Sequence, residues 1–230
     1  NKDLFLINHG NPNPNTIKKA NRFYCINNPS FIKYASDKWL TYNLMPDVFP
    51  KTYLLSDFSR QDEIIEELGL PLVIKARKSH HGYSFRFIEN PSQIPKNLSA
   101  NLIAQQYIER KHEFRFNVLD SKIYQVSRRV WTNEKTEKGG IVFTYVSLGE
   151  NAKISDRFWK FVFSIVKIID EKLGNNLQSY AIDVIKGTDN NYYLSEINSA
   201  FGIGELTLKK LLNTLAKKFE IGELEKYRLI

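Results

Sequence analysis

Between Pro71 and Leu148 the chain reads as a succession of short extended segments. They are Pro71 to Ala76, Phe85 to Ile88, Leu102 to Ile108, Glu113 to Leu119, Lys122 to Val130 and Ile141 to Leu148. Val, Ile, Phe and Tyr recur in them, and turn residues such as Asp120-Ser121 separate them, the pattern of paired strands rather than helices. Helical spacing lies outside this block. One helix starts at Asn28-Pro29-Ser30, carries Phe31, Tyr34, Ala35, Trp39 and Tyr42, and ends before Pro46. A short strand, Thr52 to Leu55, follows. A second helix, capped by Asp57 or Ser59, carries Ile64, Ile65 and Leu68 and stops at Gly69-Leu70-Pro71. Ser155 to Leu173 is the clearest, with Phe158, Phe161, Val162, Ile165, Ile168 and Ile169 three and four apart. Two further strands, Tyr180 to Lys186 and Tyr192 to Ile197, precede a closing helix from Glu205 to Phe219. Strands in the middle with helices flanking them predict an α+β fold.

The composition narrows the class. At 230 residues, 42% apolar and 25% charged, with 15 Phe, 12 Tyr and 3 Trp, the chain has the means to bury a core, and a disordered protein is excluded. No apolar run approaches the ~20 residues of a membrane span, and the first residues lack the pattern of a secretory signal. Cys25 is the only cysteine. It forms no intrachain disulfide and no cysteine-based metal framework, which favours a reducing compartment, the cytoplasm. The net charge is +8, but the lysines are scattered and no basic run reaches five residues. A basic chain can serve nucleic acid, an anionic surface or a small anionic substrate; the scatter reads first as an ordinary solvated surface and disfavours nucleic acid as partner.

Four groups of residues can carry chemistry. Lys75 at a strand end is followed by Lys78-Ser79-His80-His81-Gly82-Tyr83-Ser84. A lysine ammonium suits a phosphate oxygen, and a loop with Ser79, Gly82 and Ser84 can turn N–H and hydroxyl groups toward other phosphates. A hairpin turn with surface lysines reads equally well there. Gln105-Gln106-Tyr107-Ile108, followed by Glu113 and Arg115, offers backbone groups for a nucleobase edge and a carboxylate for a ribose, or simply a strand running into a charged turn. Arg128-Arg129 matches phosphate geometry or a solvated surface. The sharpest group is Asp183 on one strand with Glu196 and Asn198 on the next. These polar residues lie among Ile182, Val184, Ile185, Leu194 and Ile197, and Glu196 and Asn198, two apart, share a face. Three such oxygen side chains fit a hard cation of the Mg²⁺ kind; a buried ion pair with a lysine is the alternative.

In this order, the lysine strand, small loop, Gln-x-aromatic hinge, carboxylate, arginine, Asp and Glu-x-Asn resemble the ATP-grasp superfamily from about Asn28 to Gly204. The resemblance implies two α+β lobes holding ATP between them, here residues 28–109 and 110–230, after an N-terminal stub of residues 1–27. It implies that Lys38 and Lys75 contact phosphates, that Ser79 to Ser84 close over them, and that Gln106, Tyr107 and Ile108 read adenine. Glu113 would bind ribose, and Arg129 would meet the γ-phosphate. Asp183, Glu196 and Asn198 would hold two Mg²⁺ ions, with Mn²⁺ as an alternative.

The pattern is most similar to carboxylate–amine ligases of the glutathione synthetase-like, D-alanine–D-alanine ligase-like and RimK-like kinds. These form an acylphosphate that an amine then attacks. An ATP-grasp kinase and a non-catalytic nucleotide- or nucleic-acid-binding module are the alternatives. Three departures stand out. The segment before Gly139-Gly140 lacks the Arg-x-Asn of RimK-like ligases. Ser199-Ala200-Phe201-Gly202 replaces the usual Pro-Gly. The short stub replaces the family's N-terminal α/β domain, as in compact forms that occur in phage genomes. The shortened start predicts a large, peptide- or protein-attached carboxylate substrate, or a second copy or partner that completes the acceptor site.

Overall fold

The computed structural model describes residues 4–7, 23–78, 85–135, 141–148, 153–174, 177–199 and 205–220. The chain divides into two compact units. Unit 1 comprises Asn1–Lys33, Phe114–Asp183 and Ile197–Ile230; unit 2 comprises Tyr34–Glu113 and Val184–Glu196.

Unit 2 is built on an antiparallel sheet in the order β3-β6-β4-β5, from β3 (Thr52–Leu54), β4 (Leu72–Ala76), β5 (Arg86–Ile88) and β6 (Leu102–Gln106). Alternation along β4 and β6 sends Leu72, Ile74 and Ala104 to one face. There they pack with Leu55, Ile88, Ile94 and the buried stripe Ile64 and Leu68 of α3 (Gln61–Leu68). Each fully buried Leu or Ile contributes about 1.5–3 kcal/mol. The opposite periodicity, Thr52 on β3, Gln105 on β6 and Lys75 on β4, belongs to the other face. Gly69, at φ +70°, ends α3 with its N–H on the Ile65 carbonyl at 2.8 Å.

The segment expected as one helix is two: α1 (Pro29–Ala35) and α2 (Lys38–Leu44). The break comes from Asp37. Its backbone is extended, and its carboxylate caps α2 by accepting from the N–H groups of Trp39 (3.1 Å) and Leu40 (3.3 Å). The cap of α3 also differs from expectation: Asp57 accepts from Leu54 N–H in a short 3-10 turn, and Glu63 takes the N–H groups of Ser59 and Arg60.

Unit 1 holds the parallel pair β1 (Leu4–Ile7) and β2 (Phe23–Ile26), both in the segment read as a stub. After β2, Asn27 turns at φ +63° and is fully buried. Its side-chain amide mimics a strand, accepting from Ser179 N–H at 2.7 Å and donating to Ser179 C=O at 2.9 Å. Strands β7 (Arg110–Leu119), β8 (Lys122–Lys135), β9 (Ile141–Ser147), β10 (Ser179–Gly187) and β11 (Tyr192–Asn198) form a sheet in the order β11-β10-β7-β8-β9. The unit boundary falls within β7, β10 and β11 along the chain. The β7–β8 turn is Asp120-Ser121, both left-handed at φ +50° and +62°, as a two-residue hairpin requires. On one face Phe114 and Phe116 pack edge-on against Phe158 of α4 (Asp156–Leu173), at 5.0 and 5.2 Å. Leu211 and Leu215 of α5 (Glu205–Glu220) join Ile26, Leu119 and Leu177 in a second core. No helix among the described residues is long and apolar enough to cross a membrane.

Candidate functional site

In unit 2 the face of the sheet turned away from α3 carries Lys75, whose Nζ donates to Gln105 Oε1 at 2.8 Å. Burial, first of all, depresses its pKa to about 8; Lys38 and Arg110 push the same way, and Glu196 and Glu113 oppose them. These five groups thus form one electrostatic cluster of three cations and two carboxylates. Lys38, the first residue of α2, pairs with Glu196 at 3.2 Å. Glu113 is buried and accepts from Arg110 Nη1 at 3.2 Å. Gln106 ends β6, with its N–H on the Lys51 carbonyl at 2.9 Å. Tyr107 packs edge-on against Phe87 at 4.8 Å, and Ile108 lies beside Gly187, where an added Cβ would come within 3.2 Å of its Cγ2. Ser79, Gly82 and Ser84 lie outside the described residues.

Asp37 supports this cluster. Besides capping α2 it accepts from Arg77 Nε on both oxygens, at 2.7 and 2.8 Å, and its side chain is 1% exposed. The Lys38 N–H in turn donates to the Arg77 carbonyl at 3.0 Å. One carboxylate therefore fixes the start of the Lys38 helix to the end of the Lys75 strand. Asp37→Ala is expected to lower the stability of unit 2 by about 3–5 kcal/mol, because it strands Arg77 and opens the cap. Asp37→Asn, which keeps an acceptor for the cap, should lose less; urea unfolding of both variants measures this.

In unit 1 the focus is Asp183 on β10, 2% exposed. Arg115 of β7 grips it with both ends of its fork, Nε to Oδ1 at 2.7 Å and Nη2 to Oδ2 at 2.6 Å. Arg129 of β8 lies 3.6 Å from Oδ2, and Asn198 Nδ2 of β11 donates to the same oxygen at 3.0 Å. The guanidiniums rest on aromatic rings: Arg115 lies 4.2 Å from the Tyr145 ring centre, and Arg129 4.2 Å from that of Phe143. The Tyr145 hydroxyl oxygen accepts from Arg129 Nε and Nη2. Burial, then the Asp183 charge, pushes its pKa up to about 12 against the pull of the arginines, so it stays a neutral phenol. Trp131 and Phe143 extend the row and remain exposed at 44% and 42%. Two guanidiniums thus meet at one buried carboxylate.

Of the residues singled out in the sequence, Lys38, Lys75, Glu113 and Glu196 share the cluster in unit 2 and Asp183, Asn198 and Arg129 the one in unit 1, whereas the sequence grouped Asp183, Glu196 and Asn198 as a single metal set. It missed the roles of Asp37, Arg115 and Tyr145. Period-two alternation through Glu113, Arg115 and Asn117 on β7 was the available signal for Arg115. Nothing in the sequence marks Tyr145. Among the described residues no three His, Cys, Asp or Glu gather as a metal cluster. The oxygen donors are the carboxylates of Asp183 and Glu196, now engaged by cations, and the amide of Asn198.

Comparison with known proteins agrees with this architecture. No curated protein matches the chain. Among solved structures, N5-carboxyaminoimidazole synthetase from Staphylococcus aureus, complexed with ADP, superposes with a TM-score of 0.67 at 14% identity, over 90% of this chain and 56% of its own. Carboxyaminoimidazole ribonucleotide synthase from Aspergillus clavatus, complexed with ATP, gives 0.61 at 15% identity, over 81% and 50%. The ATP-grasp ligase PsnB, complexed with a phosphomimetic variant of its minimal precursor, Mg and ADP, gives 0.57 at 16%, over 83% and 57%. The chain therefore spans about half the length of these structures, and at such identities they speak for the fold. The model of the ATP-grasp domain matches residues 35–202, from the helix of Lys38 through the strand of Glu196 and Asn198, and on that match the protein belongs to the ATP-grasp family.

Proposed function

We propose that the protein is an ATP-dependent ligase that joins a carboxylate to an amine through an acylphosphate. The observation that carries this reading is the set of fixed cations that each cluster gathers among the described residues, within a chain of this family. Lys38, Lys75 and Arg110 gather in one, with Glu113 and Glu196, and Arg115 and Arg129 meet at Asp183 in the other. Phosphoryl transfer spreads negative charge over the transferred group, and cations already held in place stabilise it without reorganisation. In this reading Lys38 and Lys75 bind ATP phosphates, Gln106, Tyr107 and Ile108 hold the adenine, and Glu113 receives the ribose. Ser79, Gly82 and Ser84 add donors, and Arg129 faces the transferred phosphoryl group.

The side chains of Asp183, Glu196 and Asn198 suit Mg²⁺, or Mn²⁺, because all three offer hard oxygen donors. When bound, the ion would neutralise phosphate charge. PsnB was solved with a precursor. By that analogy we propose a carboxylate carried on a peptide or protein.

ADP release is the test, measured with Mg²⁺ and ATP across pooled amino acids, small acids and peptides. A ligase yields one phosphate per ADP only when carboxylate and amine are both present, and hydroxylamine diverts the acylphosphate to a hydroxamate. Phosphate retained on a hydroxyl acceptor would instead identify a kinase. Absence of ATP binding would remove both readings.

A further inference from the structure

Behind Lys75 the buried side chains form a directed chain. The Pro50 carbonyl oxygen can only accept, so the Thr52 hydroxyl donates its single proton to it, at 2.7 Å. Toward Gln105 that hydroxyl is therefore an acceptor, and Gln105 must present its NH₂ group, Nε2 to Oγ1 at 2.8 Å. This turns the other end of the amide, Oε1, toward Lys75 Nζ, which can only donate. A flipped amide would face NH₂ to an ammonium and a carbonyl to a hydroxyl whose proton is already committed. Each link thus dictates the polarity of the next. Thr52 and Gln105 are 1% and 5% exposed, so water is a poor substitute for either partner.

The sheet register makes the chain geometric as well. Thr52 lies opposite Gln105, and Gln105 lies opposite Val73, two residues before Lys75 and on the same face. Three strands therefore hold one ammonium. A carboxylate in place of Gln105 would hold it too, but would spend its charge and repel phosphates. A neutral carbonyl orients the ammonium and leaves the charge available.

We propose that Gln105 and Thr52 are positioning residues for nucleotide binding: they set where the Lys75 ammonium stands, and Gln105 does so without neutralising it. This rests on the reading that Lys75 binds ATP phosphates. Neither residue need touch the nucleotide.

The experiment is calorimetric titration of the full chain with Mg²⁺ and a non-hydrolysable ATP analogue. Thr52→Val, isosteric but without the hydroxyl, should weaken binding about 5-fold, the order expected for one long side chain that must be ordered on binding. Gln105→Leu should weaken it about 10-fold, and Gln105→Glu at least as much. Thr52→Ser, which restores the hydroxyl, should bind within about twofold of wild type. In a Lys75→Met background Thr52→Val should have no further effect, because the relay has nothing left to position. Wild-type affinity in Thr52→Val would overturn the proposal. So would equal losses in Thr52→Val and Thr52→Ser, or the same loss with and without Lys75. If Lys75→Met alone binds as wild type, the phosphate role of Lys75 fails instead.

Discussion

Asp183→Ala is expected to abolish Mg²⁺-dependent turnover, with a loss of at least ~100-fold, and to destabilise unit 1 at the same time. The loss of stability follows because Asp183 accepts from both ends of the Arg115 fork, lies 3.6 Å from Arg129 and also accepts from Asn198. Removing it takes a shared carboxylate from two partly buried guanidiniums, at a cost of about 3–5 kcal/mol. Asp183→Asn separates the two roles. It keeps an oxygen for Arg115 and should recover part of the stability, while turnover stays low because a neutral amide loses the negative charge that draws the cation. Urea unfolding and ADP release on both variants decide the matter. Turnover within a few-fold of wild type in either would show that Asp183 is structural only.

Lys75→Met is expected to weaken ATP binding by about 10–100-fold, the range for loss of a charge-assisted contact to phosphate, and to stabilise the protein without nucleotide at pH 7. The second effect follows from linkage. Burial holds the ammonium at about 8, below its unfolded value near 10.5, so the unfolded chain binds more protons between those two pH values. The penalty for burying the charge is therefore fully present below pH 8 and disappears as pH rises toward 10.5. The advantage of Lys75→Met over wild type, on the order of 2–3 kcal/mol at pH 7, should shrink over that window. ATP phosphates favour the charged lysine, so wild-type binding at pH 8 to 9 should take up a proton, seen as a buffer-dependent calorimetric enthalpy. A Lys75→Met variant that showed the same proton uptake would assign it to another group.

Much of the architecture was legible because it depends on local chemistry. Recurring Val, Ile, Phe and Tyr specified β4, β7, β8 and β9, the Asp120-Ser121 pair specified its hairpin, and apolar residues three and four apart specified α4, with Ser155 at its N-cap. The family resemblance was legible because its motifs keep a fixed order along the chain. Residue-type arguments also singled out Lys75, Asp183, Glu196 and Asn198, since charge inside apolar strands needs a purpose.

Partners were another matter. Tertiary structure alone decided that Asp37 would end one helix and begin another, because its carboxylate is claimed by Arg77, forty residues on. It also decided that Arg115 would grip Asp183 while resting on the Tyr145 ring, and that Thr52, Gln105 and Lys75 would align across three strands. Spacing along a chain fixes which residues share a face of one strand or helix. It carries no measure of which strands become neighbours or in what register, and hydrogen bonds, ion pairs and pKa values depend on distances of a few ångströms that only the assembled sheet sets.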